Sequence, residues 1–271
     1  MPFTTLKLEL AAPIARLTLN RPDKANAMNL PFWDEFPQAL AEIGDHPECR
    51  VAVISGAGRH FSAGIDVSVL VNQAQSVNAE KCPARAREQL HRFILHAQHT
   101  FTALEELRIP SIAAIHGACV GAGVDLATAC DFRLASADAR FCVKEVDLAV
   151  VPDVGTLHRL RHLVGYGTAA RLCYTAETFD AARAKRMGLV QEVFADAGAL
   201  AAGATTLAQT IAAKSPLTVR GIKRNLLFAR DHSVADGLAY TAAWNASMLI
   251  SADAGEAMAA HLGKRAPKFR D

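Results

Sequence analysis

Residues 116–160 read HGACVGAGVDLATACDFRLASADARFCVKEVDLAVVPDVGTLHRL, and three acids stand there among glycines and apolar residues. Asp125 follows the turn Gly121-Ala122-Gly123, Glu145 lies in Val143-Lys144-Glu145-Val146-Asp147, and Asp153 lies in Pro152-Asp153-Val154-Gly155-Thr156. A carboxylate in apolar surroundings is costly, so it either gains hydrogen bonds or rises in pKa until it holds a proton near neutrality. Acid and base catalysis needs that second state. The competing reading is structural: the acids cap helices or pair with Lys144, Arg133 and Arg159, as carboxylates in ion-pair networks do.

Just upstream, Ser111 to Ile115 reads as a buried strand, and the Gly117 to Gly123 turn after it opens a helix. The same order occurs earlier, where Arg50 to Ser55 is a β-branched run ending in Gly56-Ala57-Gly58 and followed by Phe61-Ser62-Ala63-Gly64-Ile65-Asp66. VAVISGAGRHFSAG and SIAAIHGACVGAG are weakly alike, which points to a fold wound from strand-turn-helix units. A helix that begins after a tight turn presents unpaired N–H groups and the positive end of its dipole. Neither turn carries a Gly-Lys-Ser/Thr phosphate loop, and Leu126 stands where a third dinucleotide-binding glycine would be. Two such turns beside spaced acids fit an oxyanion hole better.

Further out, residues 5–10 and 14–19 alternate as two strands, the second stopped by Pro22. Phe32, Phe36, Leu40 and Ile43 make the apolar stripe of a helix over 31–43, with Asn29 as N-cap and Pro31 just inside. A long helix is expected over 84–108, up to Pro110. It carries His91, His96 and His99, whose spacing is no zinc signature, so they read as solvated or packing side chains. Beyond residue 197 the pattern is wholly helical: an Ala-rich piece to Lys214, a capped start at Ser215-Pro216, and helices near 233–250 and 253–263. This reads as a separate helical appendage.

The chain of 271 residues is 51% hydrophobic and 21% charged, enough to bury a large core and fill one large domain or a domain with an appendage. Its formal charge of +2 gives no broad electrostatic case for nucleic acid or an anionic membrane. The six cysteines form no C-x-x-C pair and no zinc spacing, so they read as reduced, packed thiols, as in a cytoplasmic enzyme. The opening Thr5-Leu6-Lys7-Leu8-Glu9-Leu10 is strand-like with no leader pattern ahead of it, and Lys268-Phe269-Arg270-Asp271 is not a peroxisomal tripeptide. No apolar stretch is long enough to read as a membrane span. Ser62, His116 and His158 could suggest a hydrolase triad, but no G-x-S-x-G elbow is present.

Taken together, Leu19-Asn20-Arg21-Pro22, Asn26-Ala27-Met28, Phe61 to Asp66, His116-Gly117 with Gly121-Ala122-Gly123, and Ala129-Cys130-Asp131 resemble the signature of the crotonase superfamily, the enoyl-CoA hydratases and isomerases, over nearly the whole chain. The resemblance implies an α/β fold, a spiral of ββα units over residues 1–196 that holds an acyl-CoA site. Residues 197–271 would be a C-terminal helical oligomerisation region making homotrimers or homohexamers. It implies an acyl-CoA thioester whose carbonyl is held by the N–H groups of Ile65 and Ala122, the latter standing where the family has glycine. Lys24 and Ala25 would lie near the nucleotide part of coenzyme A, Ala63, Gly64, Ile65, Asp66, Gly121 and Ala122 along the thioester end, and Lys264 is a weaker candidate. No metal and no separate cofactor are expected, because coenzyme A is part of the substrate.

The acids separate subfamilies. Hydratases resemble one another in having Glu at both the 125 and 145 positions and Gly at 153, whereas this chain has Asp, Glu and Asp. That set is similar to the dienoyl-CoA isomerases, which convert 3,5-dienoyl-CoA to 2,4-dienoyl-CoA. By family position Glu145 takes the α-proton, Asp153 delivers the ε-proton, and Asp125 orients or tunes the pair. An enoyl-CoA hydratase is the alternative, and a non-catalytic RNA- or protein-binding homologue is a third reading that the near-neutral charge and intact acids disfavour.

Overall fold

A computed structural model describes residues 3–271. The chain opens with an antiparallel pair, β1 (Leu6–Ala11) and β2 (Ile14–Leu19), then α1 (Leu30–Asp45), β3 (Val51–Gly56), α2 (Val67–Ala79) and α3 (Pro83–Glu105). Next come β4 (Ser111–Ile115), β5 (Ala118–Val120), α4 (Ala122–Ala129), β6 (Phe132–Ser136) and β7 (Arg140–Cys142). After a 3-10 turn at Glu145–Leu148 follow α5 (Thr156–Val164), α6 (Tyr166–Thr175), β8 (Phe179–Asp180), α7 (Ala181–Arg186) and β9 (Glu192–Phe194). Four helices close the chain: α8 (Ala197–Ala212), α9 (Pro216–Arg230), α10 (Val234–Met248) and α11 (Ala252–Leu262).

The larger sheet has the order β1-β2-β3-β4-β6-β9, parallel from β2 onward, and β5, β7 and β8 form a smaller one. Chain order therefore alternates a strand of the larger sheet, a strand of the smaller sheet and a helix, as in β4-β5-α4 and β6-β7-α5. The first such unit is abbreviated: after β3 the chain touches the smaller sheet only through a parallel bridge between Ser62 and Cys119 before entering α2. The two weakly similar segments are thus neighbours in space, with β3 beside β4 and the turn after β3 beside β5. This is the expected spiral of ββα units.

The central strands are buried on both faces, as parallel strands between helices must be. On β3 and β4, Ala52, Ile54, Ala113 and Ile115 face a core shared with Trp33, Phe36 and Ile43 of α1 and Phe101 and Leu104 of α3. The alternate residues Val51, Val53, Ile112 and Ala114 face a second core closed by Leu200, Ala204, Ala208 and Ala212 of α8. The helical region consequently does not begin as an appendage: α8 is a layer of the domain, and residue 197 marks a change of pattern rather than the edge of the core. Helices α9 to α11 extend beyond it. A half-buried carboxylate ties α9 to the sheet, because Asp131 accepts hydrogen bonds from Ser111 N–H and from the buried Lys223 ammonium at 2.8 Å each.

Two local expectations changed, and one helix was unforeseen. Asn29 sits at the N-cap of α1, but its side chain makes no capping bond. The Gly117 to Gly123 segment is not all turn, since Ala118–Val120 pair with β7. Helix α2 was not expected, although Val67, Leu70, Val71, Ala74 and Val77 fall at helical spacing; only Val69 of it is buried. His91, His96 and His99 are exposed on α3, and among the described residues all cysteines are free, five of the six buried.

Candidate active site

Two turns meet at the edge of the smaller sheet. Gly64 has φ +91°, and a Cβ there would come within 2.6 Å of the Val120 carbonyl oxygen. Gly123 packs against the same partner turn, where a Cβ would lie 3.0 Å from the Ser62 carbonyl oxygen. Glycine is needed at Gly64 both for the conformation and for the approach. Asn26, itself at φ 55°, braces the first turn by donating to the Ala57 and His60 carbonyls and accepting from Arg21 N–H. Ser62 is fully buried and spends its hydroxyl on the Asn26 carbonyl and Gly64 N–H. It is a turn residue, not a nucleophile.

The contact brings two backbone donors together. Met28 donates to the Gly64 carbonyl and accepts from Asp66 N–H, the pattern of a parallel bridge in which Ile65's own N–H turns to the opposite side. Ala122 is the first residue of α4, so its N–H lies outside the helix ladder, 3.2 Å from where a Gly64 Cβ would stand.

Asp125 and Glu145 lie beside the Gly121 turn, and Asp153 acts on Glu145 through its charge. Asp125, one helical turn into α4, is wholly inaccessible to solvent; its Oδ1 accepts from Thr156 N–H at 2.5 Å and its Oδ2 has no partner among the described residues. Glu145 opens the 3-10 turn after β7, and its Oε1 lies 3.5 Å from where a Cβ on Gly121 would be. Its Oε2 is likewise buried without a partner. Asp153 keeps solvent access and lines a cleft of about 370 Å³ with Gln98, His158 and Arg159. A cavity of about 320 Å³ between α9, α10 and α11 contains none of the acids.

The cations that could have neutralised these acids are engaged elsewhere. Lys144 pairs with Asp147, Arg133 donates to the carbonyls of Leu189 and Cys130, and Arg159 pairs with Glu105. Burial pushes Asp125 up to about 7, with the Glu145 charge adding and the Thr156 bond opposing. Burial also raises Glu145, with the Asp153 charge adding, and partial desolvation raises Asp153. The site thus gathers three carboxyl groups whose pKa values are all raised, Asp125 to about 7.

The remaining expected residues are more dispersed. Lys24 is exposed at the end of a 3-10 turn, while Ala25, at φ 49°, accepts a bond from Ala63 N–H at 2.9 Å and so joins the Gly64 turn. Asp66 caps α2 through Ser68 N–H and pairs with Arg21 at 3.0 Å, so its carboxylate is committed to structure. His116 is held against the Gly58 carbonyl, and Lys264 is exposed after α11.

The profile of the enoyl-CoA hydratase/isomerase family matches residues 9–271. The chain belongs to this family. Among family members it is 48% identical to a peroxisomal Delta(3,5)-Delta(2,4)-dienoyl-CoA isomerase of Arabidopsis thaliana, over 94% of this chain and 92% of that one. It is 44% identical to a mitochondrial protein of the same name from Homo sapiens, over 89% of this chain and 73% of that one. The solved structure of an enoyl-CoA hydratase from Bacillus anthracis superposes with a TM-score of 0.89 at 29% identity, covering 98% of this chain and 99% of that one. The family fold is therefore that of this chain, and the protein is an enzyme. The compartments in the relatives' names do not match the cytoplasmic expectation; among the described residues no helix is long and apolar enough to cross a membrane.

The buried acid has a consequence for stability. Folded Asp125 titrates near 7 and an unfolded aspartate near 3.9, so within that window the folded state keeps a proton the unfolded state has lost, and stability falls as pH rises from about 4 to about 7. The gap is worth on the order of 4 kcal/mol. Asp125→Asn keeps the acceptor for Thr156 and removes the titration. In thermal melts it should unfold at a higher temperature than the natural chain at pH 8, with the difference vanishing towards pH 4; equal melting temperatures throughout would contradict the assignment.

Proposed function

We propose that the protein is a dienoyl-CoA isomerase that converts 3,5-dienoyl-CoA to 2,4-dienoyl-CoA. The observation that carries this reading is Asp153, a third acid with no cationic partner among the described residues, close enough for its charge to raise Glu145. A hydratase has no need of it. In the proposed reaction Glu145 takes a proton from the α-carbon, and the released electron pair forms the 2,3 double bond. The 3,4 pair moves to 4,5, and the 5,6 pair takes a proton from Asp153 at the ε-carbon. The Ile65 and Ala122 N–H groups stabilise the thioester oxygen as it gains charge, each donor being worth roughly 3 kcal/mol in the transition state. Asp125 holds the Thr156 end of the Asp153 segment and adds its charge to the coupled set. One proton has moved from α to ε, and transfer from Glu145 back to Asp153 resets the site. Lys24 and Ala25 face the nucleotide part of coenzyme A, which belongs to the substrate, and no cofactor enters the scheme.

The working form in this reading is a homotrimer or homohexamer. Support comes from α10, which buries none of its residues, and from exposed apolar side chains on α10, α11 and the link between them, including Val234, Leu238, Ile250 and Leu262. Light scattering of an active sample should give a multiple of the 28.9 kDa chain, and a mass equal to one chain would refute it.

Asp153→Asn keeps shape and loses proton transfer, so isomerisation should fall by about a hundredfold to ten-thousandfold while deuterium exchange at the α-carbon continues. Glu145→Gln should lose both. The reverse pattern would exchange the two roles, and undiminished isomerisation in Asp153→Asn would return the protein to the hydratase reading.

A further inference from the structure

The backbone that carries Asp153 is gripped at three nearby peptide groups by side chains from three helices. Gln98 of α3 donates to the Asp153 carbonyl at 2.7 Å, Arg159 of α5 donates to the Val154 carbonyl at 3.3 Å, and Asp125 of α4 accepts from Thr156 N–H. The middle grip is the least expected. Gly155, at φ +134°, leaves room for the Arg159 guanidinium, since a Cβ there would stand 1.8 Å from Nη1. Glu105, the last residue of α3, takes the other edge of the guanidinium in a bidentate pair at 3.0 and 3.1 Å, and it also pairs with Arg230 of α9.

The pair is largely withdrawn from solvent, with side chains 10% and 13% exposed. Buried ion pairs contribute little net stability compared with apolar replacements, so fold stability alone does not account for this one. Its place beside the loop does. Arg159 lines the same cleft as Asp153, and a free guanidinium there would pair with that carboxylate and hold it ionised. Glu105 and the Val154 carbonyl instead occupy Nε, Nη2 and Nη1.

We infer that Arg159 and Glu105 are positioning residues for isomerisation: the pair fixes the 153–155 backbone so that Asp153 can reach the far end of the diene, and it keeps the guanidinium off the Asp153 carboxylate. This rests on the isomerase reading and assigns the two residues to its second proton transfer alone. Glu145 lies on a different segment and makes no contact with the clamp among those described.

The test uses the full chain with 3,5-octadienoyl-CoA. Arg159→Met should lower kcat for isomerisation about tenfold to a hundredfold, the loss expected when a reacting group is misplaced by about 1 Å, with KM changed less than about threefold. Deuterium exchange at the α-carbon should continue at near the natural rate. Arg159→Lys keeps the charge but cannot hold Glu105 and Val154 together, and should recover only part of kcat. Glu105→Gln, which loosens the pair while keeping its shape, should give the same split and serves if Arg159→Met does not fold. Undiminished kcat in the folded variants, or exchange and isomerisation falling by one common factor, would overturn the clamp. Failure of the isomerase reading would show separately, as an unmodified chain that does not isomerise the substrate.

Discussion

A single backbone contact sets the geometry on which the site depends: Gly64 lies so close to the Val120 carbonyl that no side chain fits between them. The bridge between Ser62 and Cys119 draws the first turn alongside β5, and Gly123 lets the two turns close. Ile65 and Ala122, each just past a glycine, then present N–H groups that their own strand and helix do not use. A strand-turn-helix unit repeated in parallel register thus produces a pair of donors without a dedicated polar side chain. Main-chain packing alone sets these donors, and in the proposed reaction that is the preorganisation charge stabilisation requires.

The acids obey a second constraint. Three carboxyl groups in one region cannot all ionise cheaply, and the protein withholds the cations that would relieve them. Arg133 is spent on carbonyls and Lys144 on Asp147. Arg159, in the same cleft as Asp153, is consumed by Glu105. All three pKa values are raised as a result, Asp125 to about 7. The burial that raises Asp125 and Glu145 also makes the folded state less tolerant of rising pH.

Much of this could be read in the sequence. Strands β1 to β4 and helix α1 follow from apolar periodicity, and the helices after residue 197 follow from their caps. The three acids stood out by their apolar company, and the family resemblance supplied their roles. What escaped lacked a local signal. Strands of two or three residues, such as β5 and β8, are too short to alternate. The Leu200, Ala204, Ala208 and Ala212 row reads as generic alanine-rich helix until the sheet it covers is known. The competing reading, in which the acids pair with Lys144, Arg133 and Arg159, could not be settled from the sequence, because the partner of Arg159 lies 54 residues away, at Glu105. The capping of α2 by Asp66 was likewise not foreseen.

The central claim is that the third acid makes this family member an isomerase of dienes rather than a hydratase. Purified protein should be given 3,5-octadienoyl-CoA and, separately, crotonyl-CoA, and the ultraviolet spectrum of each followed in time. With the diene, an absorption band of a dienoyl group conjugated to the thioester should grow in, while crotonyl-CoA is hydrated far more slowly. Rapid loss of the crotonyl-CoA absorption, with the diene spectrum unchanged, would contradict the account.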